Sequence, residues 1–152
     1  MGARKELAPR SRPRGDEYYT PPEVFEALGL TFDLDVCAPR GGIPWIPARR
    51  YYSMDDDGLA QPWQGRVWMN PPYSRPRLWA EKFIAHRHGI TLINQGKSTW
   101  YLKLWAYADA MAMPFTNLVF VGGAVFPPLI FAAFGDECVD ALHRVGVVRV
   151  RT

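Results

Sequence analysis

Apolar residues recur along this chain in short runs separated by Gly, Pro and Asp, a pattern that lays out alternating helices and strands. Val24, Phe25 and Leu28 give a first short helix its apolar face. Thr20-Pro21-Pro22-Glu23 is its predicted start, with Thr20 as cap and Glu23 closing a capping box, and Gly29 is its stop. Phe32-Asp33-Leu34-Asp35-Val36-Cys37 alternates apolar and acidic positions and reads as a strand. Pro39, Gly41, Gly42, Pro44 and Pro47 mark a loop, and residues 51 to 63, with Asp55, Asp56, Asp57 and Gly58, read mostly as turn.

Arg66-Val67-Trp68-Met69 is a second strand. It must end at Asn70-Pro71-Pro72-Tyr73, because two prolines cannot continue a central strand. Trp79, Phe83 and Ile84 have helical spacing across 77–88, and Ile90 to Ile93 is a buried strand. Residues 99–113 are predicted as one long apolar-rich helix. Strands over 118–121 and 129–134, a short helix over 138–142 and a strand over 147–150 complete the chain. Strands alternating with helices imply a compact three-layer α/β sandwich around a mainly parallel sheet. The 152 residues fit one domain, expected over 16–152.

Residues 1–15 break the pattern. Arg4, Lys5, Arg10, Arg12 and Arg14 face only Glu6 among Pro and Ser, so a mobile basic arm is expected. On charge alone, phosphate contact and a solvated tail are evenly matched readings of it. Cys37 and Cys138 form no Cys-x-x-Cys motif, which favours a reducing cytoplasm. No apolar segment follows the basic start and none approaches the roughly 18 residues of a membrane helix, so neither a secretory signal nor a membrane partner is expected. His86, His88 and His143 lack ligand spacing, and adjacent acids in a turn point different ways, so no metal is expected.

The most specific chemical signal is Asn70-Pro71-Pro72-Tyr73 directly after a strand, where ligands of open α/β sheets bind. An amine conjugated to an aromatic base is a poor nucleophile, because its lone pair is delocalised into the ring. Two acceptors on its protons draw the nitrogen toward a tetrahedral form and free that pair. Asn70 offers a side-chain carbonyl and Pro71 a main-chain carbonyl. The proline pair fixes φ and holds these acceptors in place. Tyr73 offers a ring on which a base can stack. The plainer alternative is a polar turn with Pro71 and Pro72 as a stop. Asp35 also has two readings: the outer face of an alternating strand, or a functional acid. Paired acids on a strand covered on both faces are costly without a partner, which favours function.

In this setting the chain resembles the phage-type DNA adenine-N6 methyltransferases. The resemblance runs in order over residues 16 to about 105: Asp16, Thr20-Pro21, Phe25 and Leu28; Leu34-Asp35 and Ala38; Asp57-Gly58-Leu59 and Trp63; Asn70-Pro71-Pro72-Tyr73, Trp79 and Trp100. It implies a class I, Rossmann-like methyltransferase fold that uses S-adenosylmethionine and acts on a flipped adenine in DNA. Thr20 and Pro21 would lie along the methionine part of the cofactor, Asp35 beside its amino or ribose groups and Ala38 against it. Asp57 would take its adenine amine and Leu59 pack on its ring. The resemblance also implies a phage or prophage origin in a bacterial cytoplasm, with protection from restriction as one purpose.

Two regions depart from the family pattern. Residues 93–99 read Ile-Asn-Gln-Gly-Lys-Ser-Thr where a Pro-Ala-Arg-Thr-Asp-like loop is expected, and Gly122-Gly123 replaces a Gly-Arg. Gln95, Lys97 and Ser98 are candidates to contact a phosphate or base edge. Two other functions stay open from sequence. The same tetrapeptide suits a glutamine amide, and hence a protein methyltransferase, while the altered loops suit a degenerate fold that binds nucleic acid or protein without catalysis.

Overall fold

The computed structural model describes residues 18–123 and 128–152. The basic arm expected over 1–15 lies outside them. Four helices are formed among the described residues: α1 (Pro22–Leu28), α2 (Arg77–His86), α3 (Thr99–Tyr107) and α4 (Asp136–Leu142). Seven strands, β1 (Phe32–Asp35), β2 (Ala48–Tyr51), β3 (Val67–Met69), β4 (Gly89–Asn94), β5 (Ala110–Pro114), β6 (Leu129–Phe134) and β7 (Gly146–Val150), make one sheet in the order β2-β1-β3-β4-β6-β5-β7. None of the described helices is long and apolar enough to cross a membrane.

Two apolar clusters sandwich the sheet. Phe25 and Leu28 of α1 and Cys138 and Leu142 of α4 pack on one face with Trp68 and Phe131. Phe83 of α2 and Trp100 and Leu104 of α3 pack on the other with Val67 and Ile130. This is the expected three-layer sandwich. The sheet is mixed, however, and not mainly parallel: β2, β1, β3 and β4 run parallel, whereas β4–β6, β6–β5 and β5–β7 are antiparallel.

Three elements differ from the sequence reading. The helix expected over 99–113 ends at Tyr107, and Ala110–Pro114 is a strand. Alanine and methionine favour helix, but this strand pairs with β6 on one side and β7 on the other, and tertiary pairing overrides propensity. Asp109 marks the change of direction, accepting the Gly135 N–H at 2.9 Å and pairing with Arg151. Residues 118–121 form no strand; only Val121 bridges back to Tyr19. Strand β2 escaped the pattern because Ala48-Arg49-Arg50-Tyr51 is an exposed edge with no apolar alternation, its arginines keeping that edge charged.

Candidate active site

The position of the site follows from strand order. From β1 the chain moves to β2 on one side, then returns past β1 to β3 on the other, so the order reverses between β1 and β3. Ligands of open α/β sheets bind beyond the strand ends at such a reversal. Asp35 ends β1 and Asn70 follows the last residue of β3, and Asp35 is in register with Trp68, two residues before Asn70. Leu34 and Val36 pack into the α2–α3 cluster, so Asp35 between them points to the α1 side.

Asn70 is held at both ends of its amide. Its Nδ2 donates to the Tyr18 carbonyl at 2.6 Å, and the Tyr73 hydroxyl donates to its Oδ1 at 2.7 Å. The same hydroxyl lies 3.3 Å from the Leu92 carbonyl. Burial pushes the Tyr73 pKa upward, which keeps the hydroxyl a donor. Pro71 is buried and Pro72 half-buried; the Pro72 carbonyl takes the Arg75 N–H at 3.1 Å. No described backbone N–H takes the Pro71 carbonyl. Tyr73, expected to offer a ring for base stacking, is enclosed. Its ring stacks on Tyr18 at 6.2 Å, with Phe120 tilted against both.

Asp35 is 3% exposed and pairs with no described cation; among the described residues its carboxylate takes one hydrogen bond, from the Cys37 N–H at 3.2 Å. Burial pushes its carboxyl up to about 7, with the Cys37 N–H acting the other way. Thr20 is fully buried and does not cap α1 as expected. Pro21, also buried, occupies the cap position, and no side chain bonds there. The Thr20 Oγ1 has no hydrogen-bond partner among the described residues, while the Thr20 carbonyl takes the Trp45 indole N–H at 2.8 Å. Ala38 is buried, its N–H bonded to the Tyr52 carbonyl.

Asp57 is exposed, with φ of 55°, and Leu59 is half-buried. Gly58 between them brings their loop to the end of β1. A Cβ there would lie 2.3 Å from the Val36 carbonyl oxygen and 3.2 Å from the Trp79 ring. The Trp63 indole N–H binds the Gly58 carbonyl and Lys82 binds that of Leu59, so the loop is fixed from below. Gly58→Ala is therefore expected to lower stability by about 1–3 kcal/mol in denaturant unfolding. An unchanged midpoint would show that the loop does not depend on this contact.

Gln95 is turned inward, its N–H on the Pro128 carbonyl and its side chain on that of Leu129. Lys97 and Ser98 are exposed, and Ser98 precedes α3 without a side-chain cap bond. No group of three His, Cys, Asp or Glu able to hold a metal occurs among the described residues. The topology thus gathers Thr20, Asp35, Asn70 and Tyr73 at one end of the sheet, with the Gly58 loop beside β1. Sequence reasoning missed Tyr18, Trp45 and Phe120, which carry no motif, and passed over Gly58 as turn punctuation. A cavity of about 350 Å³ bordered by Phe25, Glu26, Leu30 and Trp45 opens near Thr31 and Pro47, at the opposite ends of β1 and β2.

A buried acid without a described cation at a sheet reversal, and a buried hydroxyl without a described partner in the segment before α1, suit a ligand carrying several donors. The α-ammonium and ribose hydroxyls of S-adenosylmethionine are such donors, so the residues present fit that cofactor.

Comparison with known proteins accords with this chemistry. A family model described as DNA N-6-adenine-methyltransferase (Dam) matches residues 9–118. A DNA N-6-adenine-methyltransferase of Haemophilus phage HP1 (strain HP1c1) is 29% identical over 119 residues, covering 67% of this chain and 67% of the phage protein.

Proposed function

Because the chain belongs to the DNA N-6-adenine-methyltransferase (Dam) family, we propose that it transfers a methyl group from S-adenosylmethionine to the exocyclic amine of an adenine turned out of the DNA helix. The observation that carries this reading is Asn70, placed at the sheet reversal beside the cation-free acid Asp35, with its amide fixed at both ends.

When bound, S-adenosylmethionine supplies a methyl carbon made electrophilic by its sulfonium. The residues of the chain do the rest. Asp35 accepts from the cofactor's amino or ribose groups, Thr20 offers its unpartnered hydroxyl, and Pro21 and Ala38 line the approach. Asp57 and Leu59 take the cofactor's adenine, one by hydrogen bond and one by packing. An adenine amine, keeping both protons, donates one hydrogen bond to Asn70 Oδ1 and one to the Pro71 carbonyl, which draws its lone pair out of the ring. The Tyr18 carbonyl holds Asn70 Nδ2 and the Tyr73 hydroxyl takes one lone pair of Oδ1, so the second lone pair of that oxygen is left to the substrate. Pro72 fixes the backbone beside it, and the Tyr73 ring, stacked on Tyr18, backs the base as part of that aromatic pair. The chain needs no base with a shifted pKa, since the amine sheds a proton after transfer. A duplex conceals this amine from an enzyme cavity; turning the base out costs a few kcal/mol, and less in a single strand.

Tyr73→Phe keeps the ring and removes one of the two restraints on Asn70. Loss of one ordinary hydrogen bond, about 1 kcal/mol, should lower kcat about five-fold with little change in the KM for DNA. A native kcat would show that the hydroxyl does not orient Asn70.

The reading itself is tested by incubating the protein with unmethylated DNA and methyl-labelled S-adenosylmethionine, then digesting the DNA to nucleosides. Label in N6-methyl-2′-deoxyadenosine supports it. Label recovered on protein glutamine would replace it with the protein methyltransferase, and absence of cofactor binding by calorimetry would leave a binding module. A phage-encoded enzyme acting in a bacterial cytoplasm, with protection of DNA from restriction as its purpose, accords with the phage relative.

A further inference from the structure

Charge is distributed unevenly around the mouth of the site. On the β1–β2 side the turn after β2 carries Asp55, Asp56 and Asp57, only the first of which meets an arginine, Arg40. On the β3–β4 side no acid occurs between Asn70 and Ala80 or between Asn94 and Ala108, whereas Arg75 and Lys97 do. Both are exposed, Arg75 in the turn that leaves Asn70-Pro71-Pro72-Tyr73 and Lys97 in the loop that leaves the neighbouring strand β4.

Most other described cations are already engaged: Arg66 and Arg77 on carboxylates, Lys82 and Arg144 on carbonyls, Arg87 and Arg149 over aromatic rings. Arg75 and Lys97 have no such partner among the described residues, a property shared with Arg49 and Arg50 on the edge strand β2. The Arg75 N–H is tied to the Pro72 carbonyl, so its side chain is anchored to the same turn as Asn70. The nine-residue helix α3 starts two residues after Lys97 and adds the positive end of its dipole to that loop.

We propose that Arg75 and Lys97 hold the phosphates on either side of the turned-out nucleotide, so that the DNA strand crosses over the β3 and β4 loops and away from Asp55–Asp57. This rests on the methyltransferase reading above. Two cations without competing carboxylates attract the backbone, the acids on the cofactor side repel it, and both act within a Debye length of roughly 8–10 Å. Phosphate contacts fix register without reading sequence, which is what a base-extruding site requires of the flanking strand.

The test is the salt dependence of binding to an adenine-containing DNA duplex by the full chain. Each of Arg75→Ala and Lys97→Ala is expected to lower the slope of log affinity against log salt by about 0.9, and the double variant by about twice that. Arg75→Lys should keep the native slope, because a lysine still displaces one counterion. Arg49→Ala, which removes an equally unpaired cation from the far edge, should also keep it. Native slopes in both alanine variants would overturn the proposal, as would an equal loss in Arg49→Ala, which would mark a general charge effect. A native protein that transfers no methyl group to DNA would refute the enzymatic reading itself, an outcome separate from any slope.

Discussion

Asn70→Ala is expected to lower the rate of methyl transfer by about 10²–10³-fold, the usual loss when one preorganised group at the reacting atoms is removed, while S-adenosylmethionine still binds nearly as tightly as to the native protein. The split follows from position. Asn70 lies beyond β3 and is the group assigned to the substrate amine, whereas the groups assigned to the cofactor lie on β1, before α1 and in the Gly58 loop. Loss of the bond to the Tyr18 carbonyl will loosen the segment before α1, so a small effect on cofactor affinity is expected as well. Comparable turnover in the variant would refute the role given to Asn70.

The second large effect concerns Asp35. Hydrogen bonds to a charged group are worth about 1.5–3 kcal/mol, so Asp35→Asn should weaken cofactor binding by about 10–100-fold. The same change should raise thermal stability at pH 8. The reason is linkage: burial raises the Asp35 carboxyl to about 7, whereas it ionises near 3.8 when unfolded. The folded chain therefore holds this proton over a window in which the unfolded chain has lost it. The stability contributed by this group is fully present below about pH 4 and is lost as pH rises through 7. Asparagine carries no such penalty. Cofactor affinity should run the other way: relative to Asp35→Asn, native affinity should rise about ten-fold between pH 6 and pH 8 as the carboxyl ionises. A variant with native affinity and native melting would remove Asp35 from the site.

These two residues were legible in the sequence for different reasons. Asn70 stands in a tetrapeptide whose prolines force a strand to end, so chemistry and local structure agree on its place. Asp35 was legible because an acid on a covered strand has a cost that demands an explanation, and the structure gives that acid a buried setting without a cation. Thr20 shows the limit of such reasoning. The run Thr-Pro-Pro-Glu has the form of a capping box, yet the chain enters α1 through Pro21 and leaves the Thr20 hydroxyl buried and unpartnered.

What the sequence concealed was mostly long-range. Ala110–Pro114 has helical composition, and only pairing with β6 and β7 makes it a strand. Ala48–Tyr51 pairs with β1 through its backbone while its arginines face solvent. Tyr18 and Phe120 meet Tyr73 from segments about a hundred residues apart, joined by the bridge between Tyr19 and Val121. Periodicity finds which face of an element is buried, but it does not say which neighbour covers it.

The most direct test is the structure of the protein with an unreactive cofactor analogue and an adenine-containing oligonucleotide. The expected result has the amino or ribose groups of the analogue on Asp35, and the base amine shared between Asn70 Oδ1 and the Pro71 carbonyl. An analogue seated in the cavity between α1 and Trp45, with Asn70 still closed off from the base, would contradict the account.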